Sequence, residues 1–184
     1  MARLNFFLFF ITVLFVSPNS NSAVVELNKD NIIAAQSKKL KRYIEDGLVT
    51  GGDRAVNDVV VLDVRFAKNQ GYERIVLDLE GNLDGRSTQV SRPPYYQVGI
   101  HSKLKRLTFT VWGQPKVAFD QNKVAKRFKK SKAVETIGFF PMLEEDRWMF
   151  TLNLAKNYEV EVFELQNPVR VILDIRKKRP PSKI

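Results

Sequence analysis

The chain of 184 residues has no cysteine and only one histidine, His101. Without thiols no disulfide can staple the fold in an oxidising compartment, so the hydrophobic core must hold it alone. A catalytic zinc needs about three protein ligands, with His and Cys the usual donors, so a zinc hydrolase centre cannot be assembled from standard ligands. The same shortage removes Cys–His nucleophile systems, and Ser–His–Asp systems unless His101 itself serves. No serine lies in a Gly-x-Ser-x-Gly context, and no phosphate-cradling loop of the P-loop type is present. The sequence therefore predicts no cofactor, no metal and no catalytic residue. Beyond Val16 no run approaches the ~20 apolar residues that a membrane span requires.

What is present begins with a leader. Arg3 supplies a positive start, Leu4 to Val16 form an apolar stretch broken only by Asn5 and Thr12, and Ser17-Pro18 ends it. Ser20, Ser22 and Ala23 are small residues suited to cleavage, so residues 1–23 read as a secretory signal peptide. No cysteine follows the apolar stretch, which rules out lipoprotein attachment there. Removing Arg3 with the leader leaves 29 basic against 20 acidic residues. An excess of that size concerns partners rather than fold. For an exported protein, periplasmic or secreted, the polyanions at hand are cell-wall glycan, phosphorylated wall polymers and lipid headgroups, not nucleic acid.

Residues 24–56 read as an N-terminal amphipathic or flexible segment. Asp30 offers a helix cap, and Ile33, Leu40, Ile44 and Leu48 follow at spacings of seven, four and four. Lys38, Lys39, Lys41 and Arg42 would form the polar side, and Gly47 and Gly51-Gly52 the end. From Asn57 the texture changes to strands separated by turn residues. Strands are expected over 58–66, 73–80, 95–101, 104–112, 133–139, 147–154, 159–165 and 169–176, with 81–91 as a loop. Tyr95–His101 and Leu104–Trp112 read as a hairpin closed by Ser102-Lys103, setting Val98 against Leu107 and Tyr96 against Phe109. Asp120 to Lys132 is a helix with Asp120 as its cap and Val124 and Phe128 on its buried side. The fold class is mainly β: a β-sandwich or open barrel of seven to eight strands, one inserted helix and a short N-terminal helix. The folded domain covers 57–177, and 178–184 is a basic tail.

Two of these strands echo each other: Arg74-Ile-Val-Leu-Asp-Leu79 and Arg170-Val-Ile-Leu-Asp-Ile175. Each alternates an apolar set with a set carrying Arg and Asp, as half-buried strands do. The second follows Asn167-Pro168; the first follows Asp63-Val-Arg65-Phe and a turn through Gly71, and closes at Gly81. This arrangement over about residues 58–177 resembles the AMIN and AMIN-like domains of bacterial envelope proteins. The resemblance implies a β-sandwich of two related sheets. It also implies a non-catalytic module that targets or tethers proteins to the cell envelope, often through peptidoglycan. The long insertion carrying the basic helix departs from the compact AMIN pattern and fits the AMIN-like variant better.

Candidate sites follow from which polar or aromatic residues the pattern leaves outside. Tyr95 and Trp112 fall on the polar side of the hairpin with Gln97, Arg106, Thr108 and Thr110, and exposed flat rings are what sugar rings stack on. Lys123, Lys126, Arg127 and Lys130 form one stripe on the helix, a solvated face or a clamp for anionic polymer or headgroups. Arg74 and Asp78, like Arg170 and Asp174, lie about 13 Å apart along one strand face, so each should pair with a neighbouring strand rather than with its mate. They read as charge ladders on the outer face of a sheet. His101 reads as a solvated surface residue, and Glu144, Glu145 and Asp146 as a solvated acidic loop after Pro141. The expected function is an exported, non-catalytic envelope-binding module recognising anionic peptidoglycan or a related wall glycan. The alternative is a protein-interaction subunit of an envelope machine.

Overall fold

In the computed structural model, which describes residues 31–83, 86–140 and 146–178, the alternating strands turn their apolar sets to one shared core. Ile75, Leu77 and Leu79 meet Val171, Leu173 and Ile175 there, all of them buried. The expected leader at 1–23, Asp30, Asp84 and Gly85 of the 81–91 loop, Pro141, Glu144 and Glu145, and the tail beyond Lys178 lie outside the described residues.

Among the described residues twelve strands and one helix follow in chain order. They are β1 (Ile32–Ala34), β2 (Gly47–Gly51), β3 (Val59–Asn69), β4 (Tyr72–Leu83), β5 (Arg86–Thr88), β6 (Tyr96–His101), β7 (Arg106–Trp112) and β8 (Lys116–Val117). Then come α1 (Gln121–Phe128), β9 (Val134–Phe139), β10 (Arg147–Leu154), β11 (Tyr158–Leu165) and β12 (Arg170–Lys177). Sheet one has the order β1-β2-β6-β7-β10-β9; sheet two has β11-β12-β4-β3-β8, with β5 on the end of β4. The two stack as a β-sandwich. The eight long strands are those the alternation predicts; the four additional ones are pieces of two to five residues.

The two open sides of the sandwich close differently. On one side α1 packs against β3 and β9, burying Val124 and Phe128, with Phe128 against Phe66 at 5.3 Å between ring centroids. Asp120 caps it as expected, accepting from the N–H groups of Asn122 and Lys123. On the other side the segment between β1 and β2 crosses to sheet two, where Gln36 pairs with Phe163 and Ile44 with Val160.

That crossing corrects the N-terminal helix. Among residues 31–56 the structure has two strands and no helix. The backbone N–H groups of Leu40 and Arg42 donate to the Glu161 carboxylate at 2.8 and 3.1 Å instead of to helical carbonyls. A short isolated helix is marginal in water, and pairing with the edge of β11 satisfies the same groups while covering sheet two. Lys39, expected on a solvated helix face, reaches the carboxylate of Asp174.

The hairpin register is also corrected, by two residues. Val98 faces Phe109 and Tyr96 faces Val111, and the loop is the four residues Ser102–Lys105 with Lys105 at φ 49°. A two-residue turn wants Asn-Gly or its like, which Ser-Lys does not supply. Because side chains alternate with period two, this slip leaves every residue on its expected face. The region 81–91 is likewise not all loop: β4 continues through Leu83 and pairs with β5.

Candidate aromatic cleft

The hairpin's polar face looks outward from sheet one, and its two aromatic residues meet at one end of it. Trp112 closes β7 and Tyr95 stands just before β6; the Trp112 N–H donates to the Tyr95 carbonyl at 2.9 Å, placing the side chains opposite each other. Their ring centroids lie 5.1 Å apart at 44°. The guanidinium of Arg54 sits over the Tyr95 ring, 4.1 Å from its centroid. Gln97 donates its side-chain amide to the Tyr95 hydroxyl at 2.7 Å, fixing the ring from the sheet side.

The loop that carries Arg54 is built tightly. Gly52 takes φ 76°, and a side chain there would meet the Pro94 carbonyl oxygen at 2.0 Å. Asp53 then bonds the Pro93 carbonyl through its N–H at 2.9 Å and receives the Tyr95 N–H at 3.0 Å. Beyond Trp112, Gly113 at φ 89° brings the chain against the Val56 carbonyl, where a Cβ would lie 2.6 Å away. Such left-handed positions are open to glycine without steric cost.

Two clefts adjoin at this end, and Arg54 and Tyr95 line both. The smaller, about 210 Å³, adds Trp112, Asn57, Gln114 and Asp146. The larger, about 760 Å³, adds Gly52, Asp53, Arg92 and Glu164. Glu164 is held by the Gly52 N–H at 2.8 Å and the Tyr96 hydroxyl at 3.1 Å, both on Oε1. Burial, with the charge of Glu164, raises the Tyr96 pKa well above its ordinary value, so this phenol stays a donor. The arrangement offers flat aromatic surface, planar amide and carboxylate groups, and two arginines. Clefts of this kind, with apolar surface and a few convergent polar groups, are candidate ligand sites.

The other expected site residues lie elsewhere. Arg106 is at the opposite end of β7, six residues from Trp112 or about 20 Å, and donates to Asn153 at 2.9 Å. The helix stripe is split: Arg127 turns to sheet two and grips the Asp63 carboxylate with both terminal nitrogens, whereas Lys123, Lys126 and Lys130 are exposed. Lys123 approaches Asp120 at 3.8 Å. Arg74, Asp78, Arg170 and Asp174 sit on the outer face of sheet two as cross-strand pairs, and Asp174 is fully buried there under Lys39. His101 is half-buried rather than solvated, lying over Gly99, because that glycine leaves the space its ring fills. Arg54, Arg92, Asn57 and Gln114 escaped sequence reasoning, since nothing in a loop's own composition tells which strand end it returns to. Asp146 was legible only as an acidic neighbour of Glu144 and Glu145.

Fold and cleft together define a β-sandwich with an open aromatic end. The chain matches no known family model and no curated protein.

Proposed function

We propose that this protein is an exported, non-catalytic, AMIN-like module that binds anionic peptidoglycan or a related wall glycan at the Tyr95–Trp112 cleft. The observation that carries the reading is the half-exposed aromatic pair at the mouth of two adjoining clefts, with Arg54 stacked on one ring. Sugar rings present apolar C–H faces to aromatic rings, while Asn57, Gln114 and Asp146 are of the kinds that meet hydroxyls in pairs. Arg54 and Arg92 supply the positive charge for a carboxylate or phosphate on the ligand. The leader, the echoing strands and the basic excess agree with an envelope location.

Sedimentation with purified sacculi at low salt tests it. The protein should pellet, added salt should weaken retention, and Trp112→Ala with Tyr95→Ala should release it. A protein that stays in the supernatant ends the glycan reading. The second reading, an interaction subunit of an envelope machine, draws on β9, an edge strand of sheet one that runs into the exposed Phe140. In-cell cross-linking to one stoichiometric protein, without retention on sacculi, would establish that one.

A further inference from the structure

The end of the sandwich opposite the aromatic cleft carries a second, chemically different site. There the β3–β4 turn at 69–71, the segment 129–133 after α1, the start of β11 and the end of β12 come together. A cleft of about 570 Å³ opens among them. Its floor is apolar: Ala133, Tyr158 and Ile175, all buried, with Tyr72 at one side. Its rim is cationic: Lys68, Lys132, Arg176, Lys177 and Lys178.

Charge pairing distinguishes these cations. Arg176 is bound to Glu159 at 2.7 Å and Lys178 to Glu45 at 2.5 Å. Glu73, the acid that lines the cleft, is consumed by the Ser131 hydroxyl and the N–H groups of Lys132 and Ala133. Lys68, Lys132 and Lys177 have no anionic partner among the described residues. Three unneutralised ammonium groups thus ring an apolar floor. Lys105, Lys130 and Lys156 stand in the neighbouring loops and reinforce the same sign. The chain leaves the described structure from this rim, and its next basic residues in sequence are Arg179 and Lys183.

We propose that this end docks onto a bilayer surface rich in anionic phospholipid. The lysines take headgroup phosphates, and Tyr72 and the aliphatic lysine stems sit at the level of the glycerol backbone. A purely hydrophilic polyanion satisfies the rim but leaves the apolar floor wet; an amphiphile with phosphate at its boundary satisfies both. Lysine side chains suit that geometry because the stem packs on apolar surface while the ammonium stays in the polar layer. Basic residues held near an anionic leaflet each add to membrane affinity. This inference stands apart from the glycan reading, since the two sites lie at opposite ends of the strands.

The absence of cysteine makes the test direct, because one introduced thiol is the only one labelled. The full chain carrying Asn69→Cys at the cleft, or Gln114→Cys at the aromatic end, takes a nitroxide. Each is mixed with vesicles of equal parts phosphatidylglycerol and phosphatidylcholine, or of phosphatidylcholine alone. The label at position 69 should become shielded from a water-soluble relaxing agent by the anionic vesicles only, and the label at 114 should stay accessible. Lys68→Gln with Lys177→Gln should weaken partition roughly thirtyfold while retention on sacculi is unchanged. Equal shielding of both labels, partition indifferent to the two substitutions, or the same response to soluble polyphosphate would overturn the proposal. Loss of sacculus binding in Trp112→Ala with vesicle binding intact separates failure at one end from failure at the other.

Discussion

Arg74 and Asp174, a hundred residues apart in sequence, face each other across neighbouring antiparallel strands in a two-pronged bridge, Nε to Oδ1 at 2.7 Å and the terminal nitrogen to Oδ2 at 2.9 Å. Their counterparts complete the symmetry, Arg170 reaching Asp78 at 3.0 Å. The echo between the strands is thereby explained. Two segments with Arg and Asp four residues apart, paired antiparallel so that Arg170 faces Asp78 and Asp174 faces Arg74, satisfy both pairs at once. Each acid then takes a second cation, Lys39 on Asp174 and Arg65 on Asp78. The bond to Asp174 raises the Arg74 pKa further.

Asp174 is fully buried, so removing its charge leaves the half-buried Lys39 and Arg74 without their shared acceptor. Asp174→Ala should cost about 3–5 kcal/mol, read as a lower urea midpoint. Arg74→Ala combined with it should add less than the sum of the single costs, since both remove one interaction. Additive costs would show that the bridge contributes nothing of its own.

Glu161 is the anchor of residues 40–42, accepting two backbone N–H groups on Oε1 while Oε2 is buried with no partner among the described residues. Glu161→Ala should destabilise by about 1–3 kcal/mol. Hydrogen exchange should quicken first at Leu40 and Arg42, with the strands of sheet one unchanged. Protection that stays uniform would place the anchor elsewhere.

The Asp120 cap can be removed without touching the core. Asp120→Ala should lower stability by about 1 kcal/mol, because two N–H groups at the start of α1 lose their acceptor. Thermal melting measures it, and Asp120→Ser should restore most of the loss.

His101 supplies a pH dependence with a definite sign. Burial lowers its pKa from the ordinary 6.5, Arg106 adding to the effect and Asp46 opposing it. The unfolded chain therefore binds this proton more readily than the folded one, so stability is intact above pH 6.5 and falls as pH drops below it. His101→Gln should flatten that part of the stability–pH curve relative to the parent protein. Identical curves for the two would contradict the burial argument.

Gly113 holds a left-handed conformation where a methyl group would meet the Val56 carbonyl. Gly113→Ala should cost more than about 1 kcal/mol and disturb Trp112 beside it. Tryptophan emission should shift, since Trp148 is buried in the core and Trp112 is the half-exposed one.

Alternation alone placed the eight long strands, the inward set of the core and the outward position of Tyr95 and Trp112, because a strand's period assigns faces whatever its partner. The cap and buried face of α1 were equally legible, being set by residues within a single turn of one another. The crossing segment was not: Ile33, Leu40, Ile44 and Leu48 have helical spacing, and only the edge of β11 and the carboxylates of Glu161 and Asp174 made an extended path preferable. Nor could the sequence tell that the echoing strands are neighbours, that Arg106 and Trp112 occupy opposite ends, or that Lys68, Lys132 and Lys177 gather round one cleft. Local periodicity fixes which way a side chain points, but which residues meet is decided by strand order and loop return. Those depend on contacts between segments scores of residues apart.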